Sequence, residues 1–137
     1  MLRRWLIPIL IVIGVFAFSS QGLKSGPEVS AKETIGLLKG DPRPVLIDVR
    51  ERADYEQGHL PGAISAPFAE FKNVLESLKL PKIDPVVLYS ADEARARDAT
   101  RLLYESGYQG ALTLKGGIEA WRAAGQAIDK SQAAAKP

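Results

Sequence analysis

The chain has 137 residues, enough for one compact domain, and its 46% apolar and 25% charged residues exclude wholesale disorder. It contains no cysteine and a single histidine, His59, which excludes disulfides, thiolate metal sites and a thiol nucleophile and leaves no histidine cluster for a metal. The formal net charge of +2 comes from Arg3 and Arg4, because residues 21–137 carry 16 basic and 16 acidic side chains. We therefore predict no metal, no cofactor and no nucleic-acid partner.

A positively charged start and an apolar run form the first predicted segment. Arg3 and Arg4 precede the apolar stretch Trp5–Phe18, which is the arrangement of a secretory signal. As a helix this stretch would cover about 21 Å, or about 28 Å if extended to Leu23, against about 30 Å for the core of a bilayer. Residues 1–23 are predicted to be a cleaved signal peptide or an N-terminal membrane anchor, with the arginines in the cytoplasm and the domain outside it, on the periplasmic side.

A linker, one domain and a tail follow, over residues 24–28, 29–125 and 126–137, the last of these predicted to be flexible. Within the domain, short apolar runs alternate with amphipathic segments of helical spacing. The predicted strands lie in 44–49, 63–66, 85–90 and 111–117, and the predicted helices in 29–40, 68–80, 92–108 and 117–125. Residues 50–63 are predicted to form a short polar helical turn followed by a Pro-Gly turn. This alternation predicts an α/β fold in which a central parallel sheet of four to five strands is covered by helices on both faces.

Two of the predicted helices begin with the Ser-x-x-Glu pattern of a capping box. Ser30 and Glu33 open the first helix of the domain, and Ser90 and Glu93 stand in the same register after the second buried strand. Asp92 is an alternative cap for that second helix. Ser90 therefore has three candidate roles: a nucleophile, a ligand for an anion, or a plain helix cap.

Three stretches in order resemble the rhodanese-like domain family. They are "LIDVRERADYEQGHLPGAISAP" (46–67), "VVLYSADEAR" (86–95) and "LTLKGGIEAWRAAG" (112–125). The resemblance covers residues 29–125 and implies a small α/β domain with a central parallel sheet. It also implies an active-site loop in the second stretch, where backbone N–H groups cradle a sulfur-bearing or other anionic group.

In active family members a cysteine opens that loop, an arginine closes it, and the cysteine carries a sulfane sulfur as a persulfide. Here Ser90 opens the loop and Arg95 closes it, and the residues between them are Ala91, Asp92, Glu93 and Ala94. A serine hydroxyl is mostly protonated at neutral pH and forms no comparable sulfur adduct. Since no other cysteine is present, the chain alone is predicted not to turn over as a rhodanese.

Two interpretations of the loop remain open. Either the loop is a capped helix start without a ligand, or it keeps a pocket for an anion or another small molecule with Arg95 as the counter-charge. A hydrolytic role for Ser90 is disfavoured, because Asp92 and Glu93 are the only nearby bases and would repel the anion that such a loop holds.

The remaining signature residues are predicted to be structural. By the resemblance, Asp48 and Arg50 belong to a framework that holds neighbouring loops. We expect His59 to be a hydrogen-bonded turn residue, Gly116–Gly117 to form a tight turn with positive φ, and Trp121 to lie in the core.

The resulting hypothesis is a non-catalytic rhodanese-like module outside the cytoplasmic membrane that binds a protein partner or a small anion. The membrane would be a further partner through residues 1–23 if these stay uncleaved. The alternative is a sulfurtransferase-class enzyme that uses a partner's thiol or an atypical mechanism.

Overall fold

The computed structural model describes residues 26–130 and confirms the predicted α/β architecture. The strands are β1 Glu28–Val29, β2 Val45–Asp48, β3 Ile64–Ser65, β4 Val86–Tyr89 and β5 Ala111–Leu114. The helices are α1 Ala31–Leu38, α2 Arg52–Gln57, α3 Phe71–Leu78, preceded by a 3₁₀ turn at Phe68–Glu70, α4 Glu93–Glu105 and α5 Gly117–Ala123. The five strands form one sheet in the order β1-β5-β4-β2-β3, and every neighbouring pair is parallel.

The middle strand β4 shows why the sheet is covered on both faces. Its four residues are all fully buried, as a continuous apolar run predicts for a central parallel strand. Val86 and Leu88 pack in one hydrophobic cluster with residues of α3 and α4, whereas Val87 and Tyr89 pack in a second cluster with residues of α1, α2 and α5. Alternation along one strand therefore supplies two cores.

The capping box predicted for α1 is confirmed. The Ser30 side chain accepts a hydrogen bond from the Glu33 amide over 3.1 Å, and the Ser30 amide donates to Glu33 Oε2 over 2.9 Å. Two amide donors at the start of α1 are thereby satisfied reciprocally.

The folded structure extends beyond residues 29–125 at both ends. Glu28, expected in the linker, lies in β1 and pairs with Thr113 of β5. At the other end, the expected flexible tail is packed from its first residues: the Trp121 indole donates to the Ala127 carbonyl over 2.9 Å, and Asp129 pairs with His59 in an isolated antiparallel bridge. The apolar Ile128 side chain, which also packs on the second cluster, explains why this segment stays on the domain.

The segment predicted as a signal peptide or anchor, residues 1–23, lies outside the described residues, as do residues 131–137 of the tail. Among the residues that the structure describes, no helix combines the length and the apolar composition needed to span a bilayer.

Because all strands are parallel, their carboxyl ends meet at one edge of the sheet and their amino ends at the opposite edge. We call these the carboxyl edge and the amino edge. In open α/β sheets, ligands bind beyond the carboxyl ends of the strands.

Candidate functional site

Ser90 lies at the carboxyl edge, directly after β4. Only 2% of the residue is exposed. Within residues 26–130 its hydroxyl has no hydrogen-bond partner, so no side chain is placed there as a base to take its proton. The oxygen itself is not fully enclosed, because the one buried side-chain oxygen without a partner in the described structure belongs to Ser65.

The prediction that Ser90 caps α4 was wrong, and the alternative, Asp92, is the cap. Asp92 Oδ1 accepts a hydrogen bond from the Ala94 amide over 3.0 Å, and the helix begins at Glu93. Ser90 stands two residues before the N-cap position. It directly follows the last residue of β4, Tyr89, and Ala91 lies between it and the cap. The Ser-x-x-Glu pattern at this site is therefore coincidental.

The loop leaves backbone donors free. Within the described part of the chain, the amides of Ala91, Asp92 and Glu93 donate to no protein acceptor, whereas the next amides are taken up by Asp92. Free amides at the start of a long helix, beside an unpaired hydroxyl, are suited to an anion. The carboxylates of Asp92 and Glu93 oppose this by repulsion.

Arg95, which closes the loop, does not turn into it. Its Nη1 lies 3.6 Å from Glu51 Oε1, and both side chains are exposed to solvent. Glu93 is engaged by Arg97, whose guanidinium also bonds to Glu28 of β1, each over 3.0 Å. The charges of the loop are thus directed towards α2 and β1, and the counter-charge predicted for an anion is paired elsewhere.

Gly116 and Gly117 allow α5 to approach the loop. Both have positive φ, 77° and 58°, as the sequence predicted for a tight turn. A Cβ atom on Gly117 would overlap the carbonyl oxygen of Ser90. The backbone after β5 therefore packs against the backbone after β4, and only glycine fits at this contact.

Asp48 and Arg50 form a buried ion pair at the end of β2. Arg50 Nη2 bonds to Asp48 Oδ2 over 2.7 Å and to the Gly58 carbonyl over 2.6 Å, and Asp48 Oδ1 also accepts the Arg50 amide over 2.9 Å. Burial opposes the charge on Arg50, but the hydrogen bond and the charge of Asp48 outweigh it and raise the pKa of Arg50. The pair ties the end of β2 to the segment after α2.

Tyr89 extends the same framework towards the loop. Its hydroxyl accepts a hydrogen bond from the Leu60 amide over 3.1 Å, and the Arg50 guanidinium carbon lies 5.8 Å from its ring centroid. Burial and then the Asp48 carboxylate raise the pKa of Tyr89, so the phenol stays neutral. Residues beside Ser90 thus hold the surrounding loops, and none of them bonds to its hydroxyl within the described structure.

His59 is hydrogen-bonded, as predicted, but it lies in the isolated bridge with Asp129 and not in the turn that follows. Its ring stacks on Tyr55 with centroids 3.8 Å apart, and Nδ1 donates to the Tyr55 carbonyl over 2.8 Å. Nε2 faces Asp129 at 3.9 Å. The ring therefore packs between Tyr55 of α2 and Asp129 of the segment after Gly125.

Sequence reasoning missed two features of this edge. Glu51 pairs with Arg95 although 44 positions separate them, because parallel strands bring the ends of β2 and β4 together. The buried Ser65 hydroxyl, at the end of β3, has no hydrogen-bond partner in the described structure. No local motif signals either one.

Among residues 26–130, no group of three or more histidine, cysteine, aspartate or glutamate side chains could hold a metal.

Comparison with known proteins gives a consistent result. The sequence profile described as "Rhodanese-like domain" matches residues 30–124. A sulfurtransferase of Allochromatium vinosum is 35% identical over 77 residues, which cover 56% of this chain and 70% of that protein. A tRNA uridine(34) hydroxylase of Protochlamydia amoebophila is 33% identical over 101 residues, 69% of this chain, and the match spans only 32% of the hydroxylase.

Solved structures agree with the sequence matches. The rhodanese-like domain of the Anabaena protein Alr3790 superposes with a TM-score of 0.69 at 29% identity, covering 81% of this chain and 84% of that one. A thiosulfate sulfurtransferase from Pseudomonas aeruginosa gives a TM-score of 0.68 at 28% identity, covering 75% of this chain and 20% of the other.

Proposed function

This chain belongs to the rhodanese-like domain family, and from that premise we propose that it is a non-catalytic binding module. One observation carries the proposal: the sequence contains no cysteine. By the resemblance, Ser90 stands where active members of the family have theirs. Persulfide chemistry needs a thiolate as nucleophile and as carrier of the sulfur. The named sulfurtransferases among the relatives are similar in sequence and fold, but this similarity does not give the chain a cysteine sulfur.

The surroundings of Ser90 support the same proposal. Activating a serine requires a base within hydrogen-bond reach, itself held by a third group. The Ser90 hydroxyl has no such partner among the described residues, and the single histidine of the chain is bonded to Tyr55. The carboxylate nearest in sequence, that of Asp92, caps α4.

The proposed binding surface is the exposed part of the loop together with the start of α2. Ala91, Asp92, Ala94, Arg95 and Glu51 are exposed there. The Arg95–Glu51 pair is loose at 3.6 Å and solvated, so both charges can exchange partners at little cost. Small side chains between charges of both signs fit a protein partner with complementary charges.

The proposal includes a location. The arginine pair and the apolar run of residues 3–18 support export or anchoring, with the domain outside the cytoplasmic membrane.

A residual anion site is the second candidate, favoured by the three free loop amides beside the Ser90 hydroxyl. Titration of the ¹⁵N-labelled protein with thiosulfate tests it. The protein-binding proposal predicts no saturable shift at Ala91, Asp92 or Glu93. A saturable shift at these amides that weakens in Ser90→Ala would support the anion site.

The catalytic question is tested by thiocyanate formation from thiosulfate and cyanide. The full chain and Ser90→Ala are expected to match the rate without protein, since neither has a thiol. Thiocyanate formation by a Ser90→Cys variant would show that the rest of the Ser90–Arg95 loop can still support sulfur transfer. Turnover by the unmodified chain that Ser90→Ala abolishes would overturn the proposal.

A further inference from the structure

Two loops at the amino edge of the sheet carry an excess of positive charge. The loop between α1 and β2 and the loop between α3 and β4 expose four basic side chains, which we call the basic rim: Lys39, Arg43, Lys79 and Lys82. The same loops contain two acidic residues, Asp41 and Asp84. In the described structure no salt bridge joins any of these six residues, so the charges of the rim are not neutralised by the domain itself.

An apolar side chain projects from the middle of this rim. Ile83 is 65% exposed and is the only large exposed hydrophobic residue among the described ones. Its neighbour Lys82 fixes the loop, because the ammonium group bonds to the Ser106 carbonyl and lies 4.6 Å from the ring centroid of Tyr108. The Lys82 carbonyl also accepts the Gln109 amide over 2.8 Å. Ile83 is therefore held outward on an anchored loop.

The chain enters the domain at the same edge. Gly26, the first described residue, leads directly into β1 and lies against Thr100 and Tyr104 in the second half of α4. Only residues 19–25 separate it from the apolar run that ends at Phe18. Seven residues span at most about 25 Å, so an anchor in that run would keep the amino edge close to the bilayer.

We propose that the basic rim and Ile83 rest on an anionic lipid surface, so that the Ser90–Arg95 loop at the opposite edge faces the aqueous compartment. This inference rests on the membrane anchoring in the proposed function. Basic side chains next to a membrane segment are attracted to anionic headgroups, and an exposed aliphatic side chain among them suits the interface. The entry point of the chain favours lipid over an acidic protein as the occupant of this face.

The absence of native cysteine allows a direct test with the full chain. Gln109→Cys places a single fluorophore at the amino edge without altering the rim or Ile83, and Ala91→Cys places one at the carboxyl edge. The labelled proteins are reconstituted in vesicles of equal parts phosphatidylglycerol and phosphatidylcholine that contain a headgroup-attached spin-label quencher. We expect quenching at position 109 to exceed quenching at position 91 by about fivefold, a contrast consistent with the sheet separating the two edges.

Charge reversal tests the cause. Arg43→Glu/Lys79→Glu should reduce the contrast at least about threefold and should have little effect in phosphatidylcholine alone, because the attraction is electrostatic. The matched control, Arg52→Glu/Lys115→Glu, changes one arginine and one lysine that are exposed near the carboxyl edge, and should leave the contrast unchanged.

The outcomes separate the two proposals. If the chain floats with vesicles but both labels are quenched equally, or if the rim variant behaves like its control, the orientation is overturned and anchoring stands. If the full chain does not float with vesicles, anchoring and orientation are both overturned.

Discussion

The ion pair of Asp48 and Arg50 gives the sharpest residue-scale prediction. Asp48 is fully buried, and removing its carboxylate would leave the Arg50 guanidinium charged without its partner. Asp48→Ala is expected to lower the free energy of unfolding by about 3–5 kcal/mol, as measured by urea denaturation.

The exposed pair of Asp98 and Arg101 is the control, since its 2.9 Å contact has similar length but lies in solvent. Asp98→Ala should cost less than about 1 kcal/mol. Equal losses for the two variants would show that burial does not decide the strength of the Asp48 pair.

Ser90 shows what a residue type alone reveals. The missing sulfur is visible in the sequence, and it excludes persulfide formation at this position. The close approach of Gly117 to the Ser90 carbonyl, by contrast, joins positions more than 25 residues apart along the chain. No property of the surrounding stretch contains that information.

At the scale of the element, the start of α4 yields a paired prediction. Asp92→Ala removes the hydrogen bond to the Ala94 amide and should cost about 1 kcal/mol of unfolding free energy. Ser90→Ala should be close to neutral, because the Ser90 hydroxyl makes no hydrogen bond in the described structure. Thermal or urea unfolding measures both, and a larger loss for Ser90→Ala would contradict the assignment of the cap.

The Ser-x-x-Glu pattern predicted the cap of α1 correctly but did not identify the cap of α4. Ser30 directly precedes α1, whereas Ser90 continues from a buried strand and the helix begins three residues later. The local motif is identical in both places. The difference lies in how far β4 extends, which pairing with β2 and β5 decides.

The turn before α5 provides a second element-scale test. Gly117→Ala would add a Cβ at positive φ and against the Ser90 carbonyl oxygen. We expect a loss of about 2–4 kcal/mol from the combined backbone strain and overlap.

Gly62 is the matched position, because its φ is also positive, 80°, but a Cβ there would meet nothing within 4 Å. Gly62→Ala should cost about 1 kcal/mol, the backbone term alone. If both variants lose the same stability, the close approach of α5 to the loop is not a constraint.

At the scale of the whole molecule, alternating strands and helices were enough to predict a parallel sheet with two covered faces. The two ends of the domain were harder to predict from the sequence, because β1 has only two residues and the segment after Gly125 has no periodic pattern. Their contacts are long-range: Glu28 with Arg97, and Asp129 with His59.

The packed segment after Gly125 should therefore contribute to global stability. A chain ending at Gly125 is expected to be about 2 kcal/mol less stable than one ending at Lys130, because it loses the packing of Ile128 and the acceptor of the Trp121 indole. Comparing the two truncated chains removes any effect of residues 131–137. Equal stability would mean that this segment is only loosely attached in solution.

The central claim is that this rhodanese-like chain does not transfer sulfur by itself. The most direct measurement is thiocyanate formation by the full chain from thiosulfate and cyanide, with and without added glutathione as a source of thiol. The absence of cysteine predicts the protein-free rate without glutathione, and the proposal of a non-catalytic module predicts the protein-free rate with glutathione as well. Saturable turnover without glutathione would contradict the claim, and turnover that requires glutathione and is lost in Ser90→Ala would establish a sulfurtransferase that borrows its thiol.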